Sequence, residues 1–235
     1  MQNLLLHCGA DKVRRSDLMQ IPMPMQTRSY KPVSHVHIAE LIADEAYKRN
    51  YSIAYEEYGL SKDGQKMFGL FKFHHNNHPE HTRCLGFRNS YDKTLAVGLT
   101  VGLSVLVCDN LCFGGETTIN RKHTSGIEIE ELIPEAFNSL SGQFQRLEEN
   151  VEKLKYEYMP TSSAKLKIVK AAEIKAIPSC DILPVLEEYK QPRHEEFSTR
   201  NSWSLYNAFT EIAKKYSPTR ADQCYKKLGN LFALN

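Results

Sequence analysis

Neither sign of charge dominates this chain: 30 basic residues face 28 acidic ones, for a formal net charge of +2. That balance neither demands nor excludes a nucleic-acid partner, because a basic stripe can sit within a near-neutral total. Long apolar runs are missing as well. The longest, Leu95 to Val107, is interrupted by Gly98, Thr100, Gly102 and Ser104. It is too short to span a bilayer, and no membrane association is expected. Cysteine is sparse and scattered, at Cys8, Cys84, Cys108, Cys112, Cys180 and Cys224. The amino-terminal "MQNLLLHCGADKVRRSD" places three leucines before its arginines, opposite to the order of a secretory signal. Reduced thiols and a cytoplasmic location are the expectation.

The templates of phosphate and metal chemistry are also lacking. "FGGE", with Gly114 and Gly115, has no G-x-x-x-x-G-K-[ST] frame to bring a lysine onto phosphates, and reads as a tight turn leaving a strand. Cys108 and Cys112 have no second short-spaced pair to complete a zinc knuckle, and Cys108 lies in an apolar run as a small hydrophobe. Asp92, Asp109 and Glu116 follow no metal-binding spacing. Four histidines, His74, His75, His78 and His81, cluster in "HHNNHPEH" beside Glu80. No paired cysteines or H-E-x-x-H helix accompany them, and Asn76, Asn77 and Pro79 favour a solvated hairpin tip. His74, His78 and His81 are the candidate ligands should a metal bind; no cofactor is expected.

What is present is a chain able to bury one substantial core without a metal or disulfide staple. Residues 1–33 hold three prolines and read as an extended leader. Ser34 is placed to cap a helix over "HVHIAELIADEAYKRN", with Ile38, Leu41, Ile42 and Ala46 on one face. "YSIAYEEYGL" and "KMFGLFKFH" flank Asp63-Gly64, a hairpin signal. Met67, Gly69, Phe71 and Phe73 share one face of the second strand, and Phe68, Leu70, Lys72 and His74 the other. "TRCLGFRNS" is a third strand. "KTLAVGLTVGL" fits a short buried helix, although a strand remains open, and "SVLVCDNLCF" fits a buried strand. "TTINRKHTSG" fits an edge strand. From Glu130 to Tyr158 the apolar period is helical, ended by Pro160, and three helix-like segments follow. The expected architecture is α+β: a leader over 1–33, an antiparallel sheet core with helices over 34–128, and a helical region over 129–235.

The most suggestive chemistry lies where polar residues precede the most hydrophobic segment. Arg83, Arg88 and Lys93 lie near Phe87 and Tyr91, while Arg121 and Lys122 end the next strand. Cations along a groove, with planar groups for stacking, are what single-stranded nucleic acid requires. A charged sheet edge that resists pairing has the same composition, and the residues alone leave both readings open.

The run "GFRNSYDKTLAVGLTVGLSVLVCDNLCFGGE", with "RKHT" after it and "SWSLYNAFTE" near the end, resembles an uncharacterised family of phage- and plasmid-related proteins. The resemblance frames residues from about 34 to 216 and implies a mobile-genetic-element setting. The order of elements, a helix and a three-strand meander leading through "LGFRNS" into an apolar segment, is similar to single-strand annealing recombinases of the radiation-sensitivity type. That resemblance implies a curled antiparallel sheet crossed by a long helix, ring-like assembly, and a basic groove faced by Arg83, Arg88 and Lys93. The long helix of that family is rich in lysine, arginine and alanine, whereas Leu95 to Leu103 carries no charge and two glycines.

The leading expectation is therefore a non-enzymatic, homo-oligomeric single-stranded-DNA-binding protein that supports annealing or recombination of a mobile element. In it Arg88 and Lys93 meet phosphate, Arg121 and Lys122 extend the track, and Tyr91 or Phe87 stacks. The alternative is a counter-defence protein that binds and inhibits a host protein, since a near-neutral, aromatic surface suits a protein interface equally. A third is a metal-dependent nuclease.

Overall fold

In the computed structural model, which describes residues 10–74, 80–106, 111–113 and 118–234, the leader is partly built into the fold. Its strand β1 (Ala10–Val13) pairs with the next strand, and a single-turn helix α1 (Arg15–Leu18) follows. Leu18, Tyr30 and Val33 are buried, so the prolines between them shape a segment that lies against the core.

Helix α2 (His35–Lys48) buries Ile38, Ala39, Ile42 and Ala46, the stripe that its spacing requires. The sheet then builds as a meander of β2 (Ile53–Ser61), β3 (Lys66–Phe73), β4 (His81–Ser90) and β5 (Val97–Val105). Strands β6 (Leu111–Phe113) and β7 (Ile119–Arg121) both pair with β5. All pairings are antiparallel, and the order β1-β2-β3-β4-β5-β6, with β7 beside β5, leaves the sheet open. The β2–β3 turn closes at Asp63-Gly64. Gly64 takes φ +70°, and the Asp63 carboxylate accepts from the Ser61 hydroxyl and the Gln65 amide at 2.6 and 3.1 Å.

One segment of the apolar stretch differs from the helical expectation. "LAVGLTVGL" is strand, not helix, from Val97 onward. Its period is two, with Val97, Leu99, Val101, Leu103 and Val105 all buried on one face, and its β-branched residues suit a pleated surface. Gly98 lies opposite Arg88. A β-carbon there would stand 2.9 Å from Arg88 Nε, so the glycine makes room for an arginine side chain crossing it.

Paired residues in adjacent strands share a face. Tyr58, Met67, Gly69, Phe71, Phe73, Leu85 and Phe87 therefore lie together, and Tyr58, Phe71 and Phe87 contact one another edge to face at centroid distances of 5.0–6.2 Å. Gly69 sits beneath the Phe87 ring, where a β-carbon would come within 2.2 Å of Cζ. The expected helix over 130–158 is two helices, α3 (Ile129–Asn138) and α4 (Leu140–Tyr156), broken at Ser139. Phe144 of α4 packs on Phe73 and Tyr51. Helices α5 (Thr161–Glu173), α6 (Ile182–Lys190) and α7 (Ser202–Ala213) match the three helix-like segments. A further helix, α8 (Pro218–Leu231), lies within the region expected to be helical over 129–235, beyond the three segments singled out there; the Ser217 side chain caps it by accepting from the Arg220 amide. The chain is α+β, with a helix before an antiparallel sheet and a mostly helical carboxyl-terminal part.

Candidate functional site

The polar stretch from Arg88 to Lys93 ends β4 and begins the turn to β5, so its side chains alternate between the two sheet faces. Asn89 points toward α2: its Nδ2 donates to the Val33 carbonyl at 2.7 Å and lies 2.9 Å from His35 Nδ1. His35 Nε2 lies 3.1 Å from the Gly64 carbonyl. These partners require a neutral imidazole with Nδ1 accepting and Nε2 donating. Burial, with His35 fully enclosed, pushes its pKa down to about 4. The Tyr91 ring stacks on His35 at 3.8 Å and 14°, its hydroxyl accepts from the His35 amide at 3.0 Å, and its carbonyl accepts from the Tyr30 hydroxyl at 3.0 Å. Ser34 holds the N-cap position but makes no side-chain cap bond; Tyr91, from the sheet, supplies an acceptor to this helix end. His123, also buried, lies 5.9 Å from the Tyr30 ring, and burial lowers its pKa too.

This arrangement divides the seven sequence-derived candidates. Phe87 and Tyr91 are only 4% and 3% exposed and belong to the core and to the α2 latch. Arg83 makes a two-pronged ion pair with Glu148 of α4, at 2.8 and 2.9 Å, and lies 5.2 Å over the Phe144 ring. Arg88 is on the opposite face, 13% exposed, and ion-paired with Asp222 of α8, while Lys226 stands 3.7 Å from the same carboxylate. Both arginines are thus already neutralised within the chain.

Lys93, Arg121 and Lys122 form the other group. All three are exposed, and none has a carboxylate partner among the described residues. Lys93 holds φ +63°, a left-handed conformation uncommon outside glycine, asparagine and aspartate, and its Nζ stands 4.4 Å over the Tyr30 ring. Beside it, Asp92 is engaged by Thr94 and, at 3.3 Å, by Lys66. Strand β7 brings Arg121 opposite Val97, four residues after Lys93, and the Lys31 amide ties the Tyr30 segment to the His123 carbonyl at 3.3 Å. The turn, the Tyr30 segment and β7 therefore meet at one end of the sheet.

The partner Glu148 follows the apolar stripe of α4 at Phe144 and Leu147, which is a usable hint. Asp222 lies 134 residues from Arg88, beside the stripe Ala221, Cys224, Tyr225 and Leu228, and nothing local points to its partner.

His78 lies outside the described residues, as do Cys108, Asp109, Gly114, Gly115 and Glu116. His74 is exposed, and His81 is buried opposite Val105. Among the described residues no group of three or more histidine, cysteine, aspartate or glutamate side chains is placed to hold a metal ion. Burial pushes the Cys224 thiol up to about 12, which removes it as a nucleophile near neutrality. No helix among the described residues is long and apolar enough to cross a membrane.

No curated protein and no solved structure gives a significant match to the chain. One family does, over residues 23–232, which takes in α2, the meander, β7 and every carboxyl-terminal helix. The chain belongs to that family, described as a domain of unknown function, DUF932.

Proposed function

We propose that the protein binds single-stranded DNA, as a homo-oligomer, and supports strand annealing or recombination of a phage or plasmid. The observation that carries this reading is the set of exposed cations at Lys93, Arg121 and Lys122, at one end of the sheet and without carboxylate partners among the described residues. Such cations attract phosphate by releasing condensed counterions. Arg83 and Arg88, held by Glu148 and Asp222, serve the fold in this reading, and the phosphate track runs over the turn and β7. Assembly of several copies would join three-cation patches into a continuous path. The mobile-element setting rests on the resemblance of the segment around "GFRNSYDKTLAVGL". Anisotropy of a labelled oligonucleotide at low salt, with solution mass measured on the same sample, tests the proposal. Binding by an oligomer supports it, and absence of binding at low salt contradicts it.

A second reading is favoured by a different surface. Leu166 and Val169 on α5 and Leu183 on α6 are exposed on neighbouring helices. Exposed apolar side chains on two packed helices suit a protein partner, as in a counter-defence protein that inhibits a host protein. A stoichiometric partner retained after nuclease treatment, and lost on Leu166→Glu, would support it over the first.

A further inference from the structure

Among the residues whose burial is described, Tyr55 is the exposed aromatic residue in a sheet strand, at 40%, whereas Tyr47 and Tyr156 lie on helices. It directly follows a register shift between Ile53 and Tyr55 in the β2–β3 pairing, an irregularity of the kind that re-aims a side chain. Each flanking strand contributes a lysine. Lys72 of β3 is the direct cross-strand partner of Tyr55. Lys12 of β1 is paired with Gly59 and reaches back along β2 past Glu57. Its Nζ donates to the Tyr55 hydroxyl at 3.0 Å and stands 5.7 Å from the ring centroid. The Lys72 Nζ stands 6.0 Å from that centroid.

A cation bonded to the hydroxyl lies at the rim of the ring, and about 6 Å is the outer limit of a contact with its face. The ring is therefore flanked by ammonium groups, not capped by them. The buried Glu57 carboxylate, 3.6 Å from Lys12, helps fix that lysine, and the hydroxyl bond fixes the ring. A planar ring held open to solvent is what single-stranded nucleic acid uses to stack a base; here Lys12, itself held by Glu57, fixes the ring through its hydroxyl, and Lys72 flanks it from the neighbouring strand.

We infer that Lys12, Tyr55 and Lys72 form a base-stacking position for single-stranded nucleic acid, on the β1 side of the sheet and away from β7. The inference rests on the single-strand-binding reading and adds to it a contact that recognises bases, which the cations at Lys93, Arg121 and Lys122 do not.

The test compares oligothymidine with an abasic oligonucleotide of the same length on wild type, Tyr55→Ala, Tyr55→Phe and Tyr55→Trp. Loss of the ring should weaken oligothymidine binding about ten-fold and leave abasic binding unchanged, and Tyr55→Phe should retain most of the affinity. In Tyr55→Trp the new indole should be quenched by oligothymidine but not by the abasic chain, against a constant background from the single native tryptophan, buried Trp203. Equal losses on both ligands, or an unquenched indole, would overturn the stacking position. If wild type binds oligothymidine and Tyr55→Ala binds it equally well, the stacking position falls and single-strand binding stands. If wild type binds neither ligand at low salt, both fall.

Discussion

Arg88 of β4 and Asp222 of α8 are ion-paired across 134 residues of sequence, and this contact ties the carboxyl-terminal helix to the sheet. The arginine crosses Gly98 to make it, so the glycine in β5 and the acid in α8 are parts of one arrangement. Arg88→Ala would leave Asp222 with Lys226 as its remaining ion-pair partner. For a mostly enclosed pair of this kind, either Arg88→Ala or Asp222→Ala should cost about 1–3 kcal/mol, and the double variant less than the sum. Denaturant unfolding of the four proteins checks this; strictly additive losses would show that the contact contributes nothing specific.

The close approach of Phe87 to Gly69 gives a second expectation. Gly69→Ala places a methyl group where the ring lies, and the overpacking should cost about 1–3 kcal/mol. Phe87→Leu in the same chain should recover part of that loss by withdrawing the ring. A Gly69→Ala protein as stable as wild type would mean that the two strands do not hold this register.

Acid should loosen the junction of α2 with the sheet. His35 and His123 are both held below the usual imidazole range by burial, His35 at about 4. The unfolded chain therefore binds more protons than the fold between about pH 6.5 and 4. Stability is fully present above that window and lost as pH falls through it. For His35 alone the loss between pH 7 and pH 5 is roughly 2 kcal/mol. Unfolding midpoints at the two pH values should show it, and His35→Gln, which stays neutral, should flatten the dependence.

Lys93 sets stability against binding. Its φ of +63° costs an ordinary residue about 1–2 kcal/mol relative to glycine, partly offset by about 0.5–1 kcal/mol from the contact with Tyr30. Lys93→Gly should thus leave thermal stability unchanged or slightly raised while weakening oligonucleotide binding. A loss of both would mark the lysine as a structural residue.

Much of the fold was legible because it depends on local period. The α2 stripe, the Asp63-Gly64 turn, the meander and the three helices from α5 to α7 all follow from spacing within a few residues of each other. β5 misled because its glycines mimic a close-packed helix, whereas Gly98 is there to let the Arg88 side chain cross it. α8 does carry a helical stripe, Ala221, Cys224, Tyr225, Leu228 and Leu231, which packs into the core; what the local period does not show is the reach of Asp222 to Arg88. The candidate site was less legible still. Phe87 and Tyr91 look like stacking groups in one dimension, but alternation turns Phe87 into the aromatic core, and the turn after β4 carries Tyr91 onto His35. Tyr55 and Lys12 lie more than 40 residues apart and meet only because β1 pairs with β2.

The salt dependence of single-stranded DNA affinity tests the central claim most directly. Wild type should show a steep linear fall of log affinity against log salt. Replacing Lys93, Arg121 and Lys122 together by glutamine should lower that slope by about 2, since each phosphate contact on a single strand contributes about 0.7. A variant with the wild-type slope and affinity would place the phosphate contacts elsewhere and contradict the account.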